Sequence, residues 1–312
     1  MRDAYIKALY ELTEKNRSVY SFVADNGTIV FDNYRKKFPK NFVNFGIAEC
    51  TMVSVAAGLA SCGDTPFIYT IIPFLVMRAY EQIRNDICMQ NMNVKIVGIG
   101  AGVRYSTLGP THHSLEDLAL MRVLPNMTII SPADPLETEK ATRASAEING
   151  PVYIRLGTSG ERAVYKEDYE FKIGKAVELR SGNDAALIAT GNSLYDAETA
   201  SDELRKRGIN VRLINIHTIK PIDEEAITRA AKETGIVLTI EEHSVSGGLG
   251  SAVAEILLRN TRGNIVFDSM GIDAYCFYYG THAELKNRCG LDSGAIVKKV
   301  ESLVKRKDVK LR

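Results

Sequence analysis

Residues 127–154 read MTIISPADPLETEKATRASAEINGPVYI, and this stretch decides the fold. Its first four and last three residues are short runs rich in β-branched or aromatic side chains, as is typical of buried strands. Between them, Asp134 directly before Pro135 is a helix-start signal and predicts a helix over residues 135–148. A strand, a helix and a second strand in this order indicate a βαβ unit with parallel strands.

The same alternation continues on both sides of this stretch. Further strands are predicted at residues 19–24, 67–70, 94–99, 185–189, 211–214 and 236–240. Helices are predicted at residues 48–62, 74–90, 114–123, 194–207, 224–234 and 249–259. The polar segment 157–183 has glycines at 157, 160, 174 and 182, and it predicts a linker at residues 161–183 between two domains at residues 1–160 and 184–312. We therefore expect an α/β fold with two doubly wound, mostly parallel sheets.

The composition argues against several classes of protein. The 39 basic and 38 acidic residues give a formal net charge of +1, so there is no basic surplus to neutralise nucleic-acid phosphates. No run of about eighteen apolar residues occurs, which argues against a membrane span. The five cysteines lack the C-x-x-C spacing of a zinc site, and we expect no metal ligands in this chain. These features predict a soluble, cytoplasmic protein that binds neither nucleic acid nor a membrane.

The glycine run Gly98-Ile-Gly-Ala-Gly102 follows a predicted strand without forming G-x-G-x-x-G. It is compatible with a tight turn that packs closely or with contact to a ligand, and the residues alone leave both alternatives open. The phosphate-binding loop G-x-x-x-x-G-K-[ST], the nucleophile elbow G-x-S-x-G and the metal motif H-E-x-x-H do not occur. Their absence disfavours nucleotide triphosphatases and the commonest hydrolases.

Glu49 and His112 are the residues most suited to acid–base chemistry. Glu49 stands among apolar neighbours at the start of a predicted helix, where it is either an acid favoured by the helix dipole or a buried proton donor. His112 and His113 lie in a Gly-Pro loop, and adjacent side chains do not share one face, which disfavours a paired metal site. We expect one of these histidines to face a cleft and the other to face solvent.

Several motifs occur together in a fixed order. In the first half they are GIAE at 46–49, RAYEQIR at 78–84, GPTH at 109–112, SPAD at 131–134 and GPVYIR at 150–155. In the second half they are ATG at 189–191, IEEH at 240–243 and GGLG at 247–250. This order resembles the pyrimidine-binding and C-terminal domains of the transketolase superfamily of thiamine-diphosphate enzymes. The resemblance extends from about residue 15 to residue 300.

The resemblance implies a set of residues that bind the cofactor. The glutamate of the GIAE motif, here Glu49, hydrogen-bonds the aminopyrimidine ring in this superfamily and activates the cofactor. An aromatic side chain stacks on that ring, and we expect Phe74 in this role with Tyr80 as the alternative. Asp25, at a predicted strand end, matches a position where the family often carries an acid near the cofactor.

The resemblance also implies a substrate site with one departure from the family pattern. His112 matches the histidine that contacts substrate oxygen atoms and assists proton transfer. Leu108 replaces the acid of the usual Asp-Gly-Pro-Thr-His motif, so we expect a substrate with fewer or differently placed hydroxyl groups. Arg104 and Arg155 are the expected anion binders, because a planar guanidinium suits phosphate, sulfonate or carboxylate.

The chain lacks the Gly-Asp-Gly and Asn-Asn motif with which the superfamily binds the cofactor's diphosphate and its metal ion. The resemblance therefore implies a C-terminal subunit of a split transketolase, completed in an α2β2 assembly by an N-terminal subunit that holds Mg²⁺ or Ca²⁺. The expected reaction transfers a two-carbon ketol unit from a ketose to an aldehyde, with a sugar phosphate or related anion as substrate. The alternatives are a β subunit of a 2-oxo-acid dehydrogenase and an enzyme like 1-deoxyxylulose-5-phosphate synthase.

Overall fold

The computed structural model describes residues 1–27 and 29–310. The strands in this part of the chain are β1 (Val19–Val23), β2 (Phe42–Asn44), β3 (Thr65–Ile71), β4 (Lys95–Ile99), β5 (Thr128–Ile130), β6 (Val152–Leu156), β7 (Val177–Arg180), β8 (Ala185–Ala189), β9 (Val211–Asn215), β10 (Thr218–Lys220), β11 (Ile236–Ser244) and β12 (Val266–Ile272). The helices are α1 (Arg2–Lys15), α2 (Asp32–Lys37), α3 (Glu49–Ser61), α4 (Tyr80–Gln82), α5 (Asp117–Arg122), α6 (Pro135–Glu147), α7 (Leu194–Lys206), α8 (Glu224–Thr234), α9 (Leu249–Asn260), α10 (His282–Arg288) and α11 (Ser293–Lys310). Together they form two sheets covered by helices.

Both sheets are mostly parallel, which confirms the predicted fold class. The first sheet has the strand order β10-β5-β6-β4-β3-β1-β2, and only its edge strand β10 runs antiparallel to its neighbour. The second sheet has the order β12-β11-β8-β9-β7, with β7 antiparallel to β9. The carboxyl ends of the central parallel strands of the first sheet meet at one edge, where ligands of α/β proteins commonly bind.

The βαβ unit predicted from residues 127–154 is present as β5, α6 and β6. The Asp134 side chain caps α6 by accepting a hydrogen bond from the Glu137 backbone N–H at 2.9 Å, and Pro135 occupies the first turn. The strands β5 and β6 pair in parallel as expected. The local helix-start signal therefore predicted this unit correctly.

The two halves of the chain share one apolar core. Buried residues of the first sheet, among them Ile129 and Tyr153, belong to the same cluster as Ile188 and Ile216 of the second half. Strand β10 belongs to the second half in sequence yet hydrogen-bonds to β5 of the first sheet. The carboxyl-terminal half therefore extends the sheet of the amino-terminal half.

Several elements differ from the sequence prediction. The single helix expected over residues 74–90 is divided into two π-helical segments, Pro73–Met77 and Ile83–Cys88, on either side of α4. Strands β2, β7, β10 and β12 and helices α1, α2, α10 and α11 were not predicted, and β7 lies inside the segment expected to be a linker. Among the described helices, none is both long enough and apolar enough to cross a membrane.

Candidate active site

The GIAE motif forms the turn between β2 and α3. Gly46 has a φ of 65°, a conformation that glycine adopts without strain, and its N–H donates to the Asn44 side chain at 2.9 Å. The turn ends at Glu49, the first residue of α3, whose side chain is only 3% exposed. The structure thus buries this carboxylate at the start of a helix, where the positive end of the helix dipole favours it.

Glu49 is one of four side chains that form a continuous cluster. The Arg78 guanidinium donates to the Glu49 carboxylate at 2.7 Å and lies 4.9 Å from the centre of the Phe74 ring. The Phe74 ring in turn lies 5.1 Å from the His112 ring in an edge-to-face arrangement. The cluster therefore brings together three residues predicted from the sequence and adds Arg78, which sequence reasoning missed.

Asp25 is linked to the turn that precedes Glu49, whereas the Tyr80 hydroxyl is bonded outside the cluster. The Asp25 backbone N–H donates to the same Asn44 side chain that holds Gly46, and the Asp25 side chain is exposed. The Tyr80 hydroxyl donates to the Leu120 carbonyl at 2.9 Å, and the ring packs against the apolar core. Of the two aromatic candidates, only Phe74 is in the cluster with Glu49.

The loop that carries His112 is built from two short 3₁₀ turns, Ser106–Leu108 and Pro110–His112, joined at Gly109. Gly109 has a φ of 79°, and a Cβ there would lie 3.3 Å from the Tyr279 ring. Leu108 next to it is 49% exposed. The leucine that departs from the family motif thus presents an apolar side chain to solvent, with an aromatic residue of the second half close by.

Arg155 lies in a buried ion pair and outside the Glu49 cluster, and its expected role as an anion binder stays a prediction. Its guanidinium donates to both carboxylate oxygens of Asp117, at 2.7 and 3.1 Å, and to the backbone carbonyls of Ser114 and Glu242. The side chain is 2% exposed. These hydrogen bonds use Nε and Nη2 of the guanidinium and join residues of the two halves of the chain.

The partner of Arg155 titrates as expected for a buried ion pair. Burial alone would raise the pKa of Asp117, but the charges of Arg155 and His243 and the hydrogen bonds from Arg155 and Tyr153 outweigh it. The pKa of Asp117 therefore lies below its ordinary value. Asp117 remains ionised near neutral pH, and this pair holds the start of α5 against β6.

Arg104 is held away from Glu49 by contacts within the chain. Its guanidinium donates to Thr158, to the Ser159 carbonyl and to the Glu161 carboxylate, and lies 2.9 Å from the His282 ring. It lines a cavity of about 420 Å³ together with Arg162, His282 and Lys286. Neither Glu49 nor His112 lines that cavity, so the structure does not bring Arg104 together with the cluster.

One histidine of the adjacent pair was expected to face solvent, and the structure shows neither of them fully exposed. His113 is buried, its two ring nitrogens have no hydrogen-bond partner, and burial lowers its pKa. His112 is half-buried and close to Phe74. The cleft-facing residue is therefore His112, and its neighbour is an interior residue rather than a solvated one.

The glycine run after β4 serves close packing. A Cβ at Gly98, Gly100 or Gly102 would overlap, respectively, the side chains of Ile72, Tyr105 or Glu242. Two of these side chains lie outside the loop: Ile72 directly follows β3, and Glu242 belongs to β11. Of the two alternatives left open by the sequence, the structure supports the tight turn.

Comparison with known protein families identifies the chain. Residues 1–160 match the model of the transketolase pyrimidine binding domain, and residues 174–296 match that of the transketolase C-terminal domain. The chain belongs to the transketolase family. The resemblance inferred from the motifs is thus confirmed, and the family is one of thiamine-diphosphate-dependent transferases.

Relatives of this transketolase-family chain match it from end to end. One of the subunits of the apulose-4-phosphate transketolase of Phocaeicola vulgatus is 38% identical, over 98% of this chain and 97% of the relative. The 6-deoxy-6-sulfo-D-fructose transketolase subunit SqwH of a Clostridium species is 35% identical, over 99% of this chain and 95% of the relative. The solved structure of a split-gene transketolase described as an inactive β4 tetramer is 41% identical, with a TM-score of 0.90, and covers 97% of this chain and 98% of that one.

Single-chain relatives are longer than this chain. A 1-deoxy-D-xylulose-5-phosphate synthase of Desulfitobacterium hafniense is 35% identical over 95% of this chain but only 47% of its own length. The full-length matches are separate transketolase subunits, so this chain has the domain content of a transketolase-type subunit. The expectation of a split, two-subunit, transketolase-like enzyme is confirmed at this level.

The residues of the cluster fit one part of thiamine diphosphate. A buried carboxylate, Glu49, and a half-buried aromatic ring, Phe74, are the groups that a flat heterocycle with ring nitrogens requires. Within the described residues, no group of three or more His, Cys, Asp or Glu side chains could hold a metal ion. The chain's own residues therefore fit the pyrimidine end of the cofactor and offer no carboxylate site for a metal-bound diphosphate.

Proposed function

We propose that this chain is the C-terminal subunit of a split transketolase that transfers a two-carbon ketol unit from a ketose to an aldehyde. The cofactor, thiamine diphosphate, supplies the covalent chemistry when it is bound. Glu49 holds and orients its pyrimidine ring, Phe74 packs on that ring, and His112 hydrogen-bonds substrate oxygen atoms. The observation that carries the proposal is the cluster in which Arg78 links Glu49 to Phe74 and Phe74 contacts His112.

The proposal requires an N-terminal partner subunit, and the surface around Glu49 supports one. Ile47, two residues before Glu49, is 76% exposed, and Met77, next to Arg78, is 36% exposed. Arg78 itself is 44% exposed although it pairs with a buried carboxylate. Apolar side chains around a half-covered charged pair are typical of a surface that another chain covers.

The partner supplies what this chain does not provide. We propose that it carries the Gly-Asp-Gly and Asn-Asn motif, holds Mg²⁺ or Ca²⁺ with the diphosphate, and forms an α2β2 heterotetramer with this chain in the cytoplasm. The 41% identical split-gene relative is described as inactive in its β4 form. By analogy, this chain alone is expected to be inactive, and its activity depends on the partner.

The substrate class follows from the loop beside His112. Leu108 cannot accept a hydrogen bond, so it does not select a hydroxyl group at this position. The names of two full-length relatives specify apulose 4-phosphate and 6-deoxy-6-sulfofructose, both of which are anionic sugars. We infer an anionic ketose, a phosphate or a sulfonate, that departs from the ordinary pentose phosphates at the position next to Leu108. This places the enzyme in carbohydrate metabolism.

Reconstitution tests the proposal directly. The chain is purified alone and together with a separately encoded N-terminal subunit that carries Gly-Asp-Gly and Asn-Asn. Each preparation is assayed with thiamine diphosphate, Mg²⁺ and a panel of ketose phosphates and sulfonates. Ketol transfer is expected only from the mixture, with a mass corresponding to α2β2. A preference for deoxy or branched ketoses over xylulose 5-phosphate supports the inference drawn from Leu108.

The same experiment distinguishes the alternatives. Ketol transfer by the chain without a partner contradicts the split-enzyme proposal. Decarboxylation of 2-oxo acids by the mixture, without ketol transfer, indicates the 2-oxo-acid dehydrogenase alternative. Condensation of pyruvate with a triose phosphate indicates a synthase. A Leu108→Asp variant serves as the matched control, because it restores the family acid and is expected to shift the preference towards ordinary pentose phosphates.

A further inference from the structure

A buried hydrogen-bonded bridge connects the second half of the chain to the loop that carries His112. Glu242, near the end of β11, is 2% exposed and accepts a hydrogen bond from the Val103 backbone N–H at 2.8 Å. The same carboxylate oxygen lies 2.8 Å from Nε2 of His282, the first residue of α10. The other ring nitrogen of His282, Nδ1, lies 2.9 Å from Nη1 of Arg104.

The bridge fixes the position of the proton on His282. A guanidinium has only donors, so the Arg104 Nη1–H must donate to Nδ1 of the imidazole, which is then an acceptor. The ring proton therefore lies on Nε2 and is donated to Glu242. His282 is thus a neutral connector with one accepting and one donating nitrogen, and it ties the backbone at Val103 to the side chain of the next residue, Arg104.

The packing around the bridge is equally specific. Gly102 has a φ of 64°, and any Cβ there would overlap the Glu242 side chain. Val103 and Leu115 form a small apolar cluster with residues of the second half, among them Ile272 and Leu285. Val103 lies in the first arm of the loop over residues 100–115 and Leu115 in the second, so the second half of the chain holds both arms.

The loop connects the bridge, which is built from β11 and α10, to His112. The residue after Arg104 is Tyr105, whose ring packs on Gly100 and lies 6.3 Å from the His112 ring. The two arms of the loop are joined where the Ser114 N–H donates to the Gly102 carbonyl at 2.9 Å. Val103 and Arg104 thus directly precede the ring that faces His112 edge-on.

We propose that His282 and Glu242 are positioning residues that set the orientation of His112 from the second half of the chain. Neither touches the Glu49 cluster, and they act through Val103, Arg104 and Tyr105. This inference rests on the proposed function of His112. In this proposal the carboxyl-terminal half of the chain holds the substrate-binding loop in one arrangement.

The test compares three substitutions of one residue in the reconstituted complex. His282→Gln retains an acceptor and a donor, His282→Asn is too short to bridge Arg104 and Glu242, and His282→Leu removes both bonds. We expect kcat per bound cofactor to fall about 10- to 100-fold in the Leu and Asn variants, because a displacement of about 1 Å costs that much. The Gln variant is expected to retain most of the wild-type kcat.

The readouts separate positioning from a merely structural role. Arg288→Ala, on the same helix and away from the bridge, is the matched control and is expected to leave kcat unchanged. If the Leu and Asn variants bind cofactor fully and retain the wild-type kcat, the inference is wrong. It is equally wrong if Gln is as impaired as Leu. An inactive wild-type complex would instead contradict the proposed function, so the two failures are distinguishable.

Discussion

Two arginine–carboxylate pairs beside the first sheet have the same chemistry and different surroundings. Arg78 binds Glu49 and Arg155 binds Asp117, each with a shortest nitrogen–oxygen distance of 2.7 Å. The Arg78 side chain is 44% exposed, whereas the Arg155 side chain is 2% exposed and also donates to two backbone carbonyls. The difference lies in what covers each pair. The second half of the chain covers Arg155, and no part of the described chain covers Arg78 to the same degree.

This difference indicates which pair is available for function. A buried pair whose arginine also donates to backbone carbonyls from both halves of the chain fixes one arrangement of the protein. A half-exposed arginine over a buried acid can change its partner when a cofactor or a second subunit arrives. The open cluster around Glu49 is therefore where we propose that the reaction occurs, and the closed cluster around Asp117 joins the two halves of the chain.

The largest expected effect is on activity, through Glu49→Gln. The amide keeps the size of the side chain but cannot act as an acid or base, so kcat of the reconstituted complex is expected to fall about 10²- to 10⁴-fold. The thermal midpoint is expected to change little, because the pair with Arg78 is partly exposed to solvent. Steady-state ketol transfer and thermal unfolding measure both effects. Activity near that of the wild type would remove Glu49 from the mechanism.

The next effect is on stability, and it compares the two arginines directly. Arg155→Leu leaves the Asp117 carboxylate buried without its cation, which is expected to lower the free energy of unfolding by about 3–5 kcal/mol. Arg78→Leu is the matched comparison and is expected to lower it by less, because the Arg78 side chain is itself half-exposed. Urea denaturation of the two variants measures the difference. Equal losses would mean that burial does not distinguish the pairs.

Much of the open cluster could be predicted from the sequence because its signals are local. The GIAE motif places Glu49 at the start of a helix, the GPTH motif contains His112, and the resemblance of these short motifs to the family implied their roles. Asp134 and Pro135 predicted the start of α6 correctly for the same reason, since a helix cap depends on neighbours within one turn. Local chemistry was sufficient wherever the partners lie close together in the sequence.

The closed cluster could not be predicted because its partners are far apart in the sequence. Arg155 lies 38 residues from Asp117 and 87 residues from Glu242, and nothing in GPVYIR shows that both faces of β6 are covered. The family resemblance alone implied that Arg155 binds an anion. Only the packing of the second half against the first reveals that Nε and Nη2 of this guanidinium hold the two halves together.

Arg78 was missed for a different reason. The helix predicted over residues 74–90 is interrupted by π-helical segments, and Arg78 lies immediately after the first of them. A π-helical turn changes the angle between successive side chains, so a helical period of 3.6 residues assigns the wrong face to those that follow. Sequence periodicity offered no signal for the contact between Arg78 and Glu49. Segments of this kind occur frequently at functional sites.

The third expected effect is a pH dependence that belongs to the closed cluster. The pKa of Asp117 is lower in the folded protein than its ordinary value of about 3.9, so the folded state binds fewer protons than the unfolded state in acid. The pair therefore contributes its full stabilisation above that ordinary value. The contribution is lost as the pH falls through the lower pKa of the folded state. Free energies of unfolding of the wild-type protein are expected to decrease between about pH 5 and about pH 3, two values on either side of the ordinary pKa.

The variants of the second prediction serve as controls for this pH dependence. Arg155→Leu removes the cation that keeps Asp117 ionised, so its free energy of unfolding is expected to depend less on pH in the acid range. Arg78→Leu is expected to retain the wild-type slope, because it leaves the Asp117 pair intact. Urea unfolding at neutral pH and at those two acidic values provides the measurement. If the free energies of unfolding of the wild type and of Arg155→Leu decrease equally with falling pH, another group controls acid unfolding.

The smallest expected effect concerns the aromatic residue that the structure removes from the open cluster. Tyr80→Phe keeps the ring in the core and deletes one hydrogen bond, from the hydroxyl to the Leu120 carbonyl, so the free energy of unfolding is expected to fall by about 1 kcal/mol. Activity is expected to stay at the wild-type level. Phe74→Leu, the matched change in the cluster, is expected to weaken cofactor binding while stability changes less than activity. A titration of thiamine diphosphate against each complex distinguishes the two positions. A weaker affinity for the cofactor in Tyr80→Phe would show that Tyr80 contributes to the cofactor site.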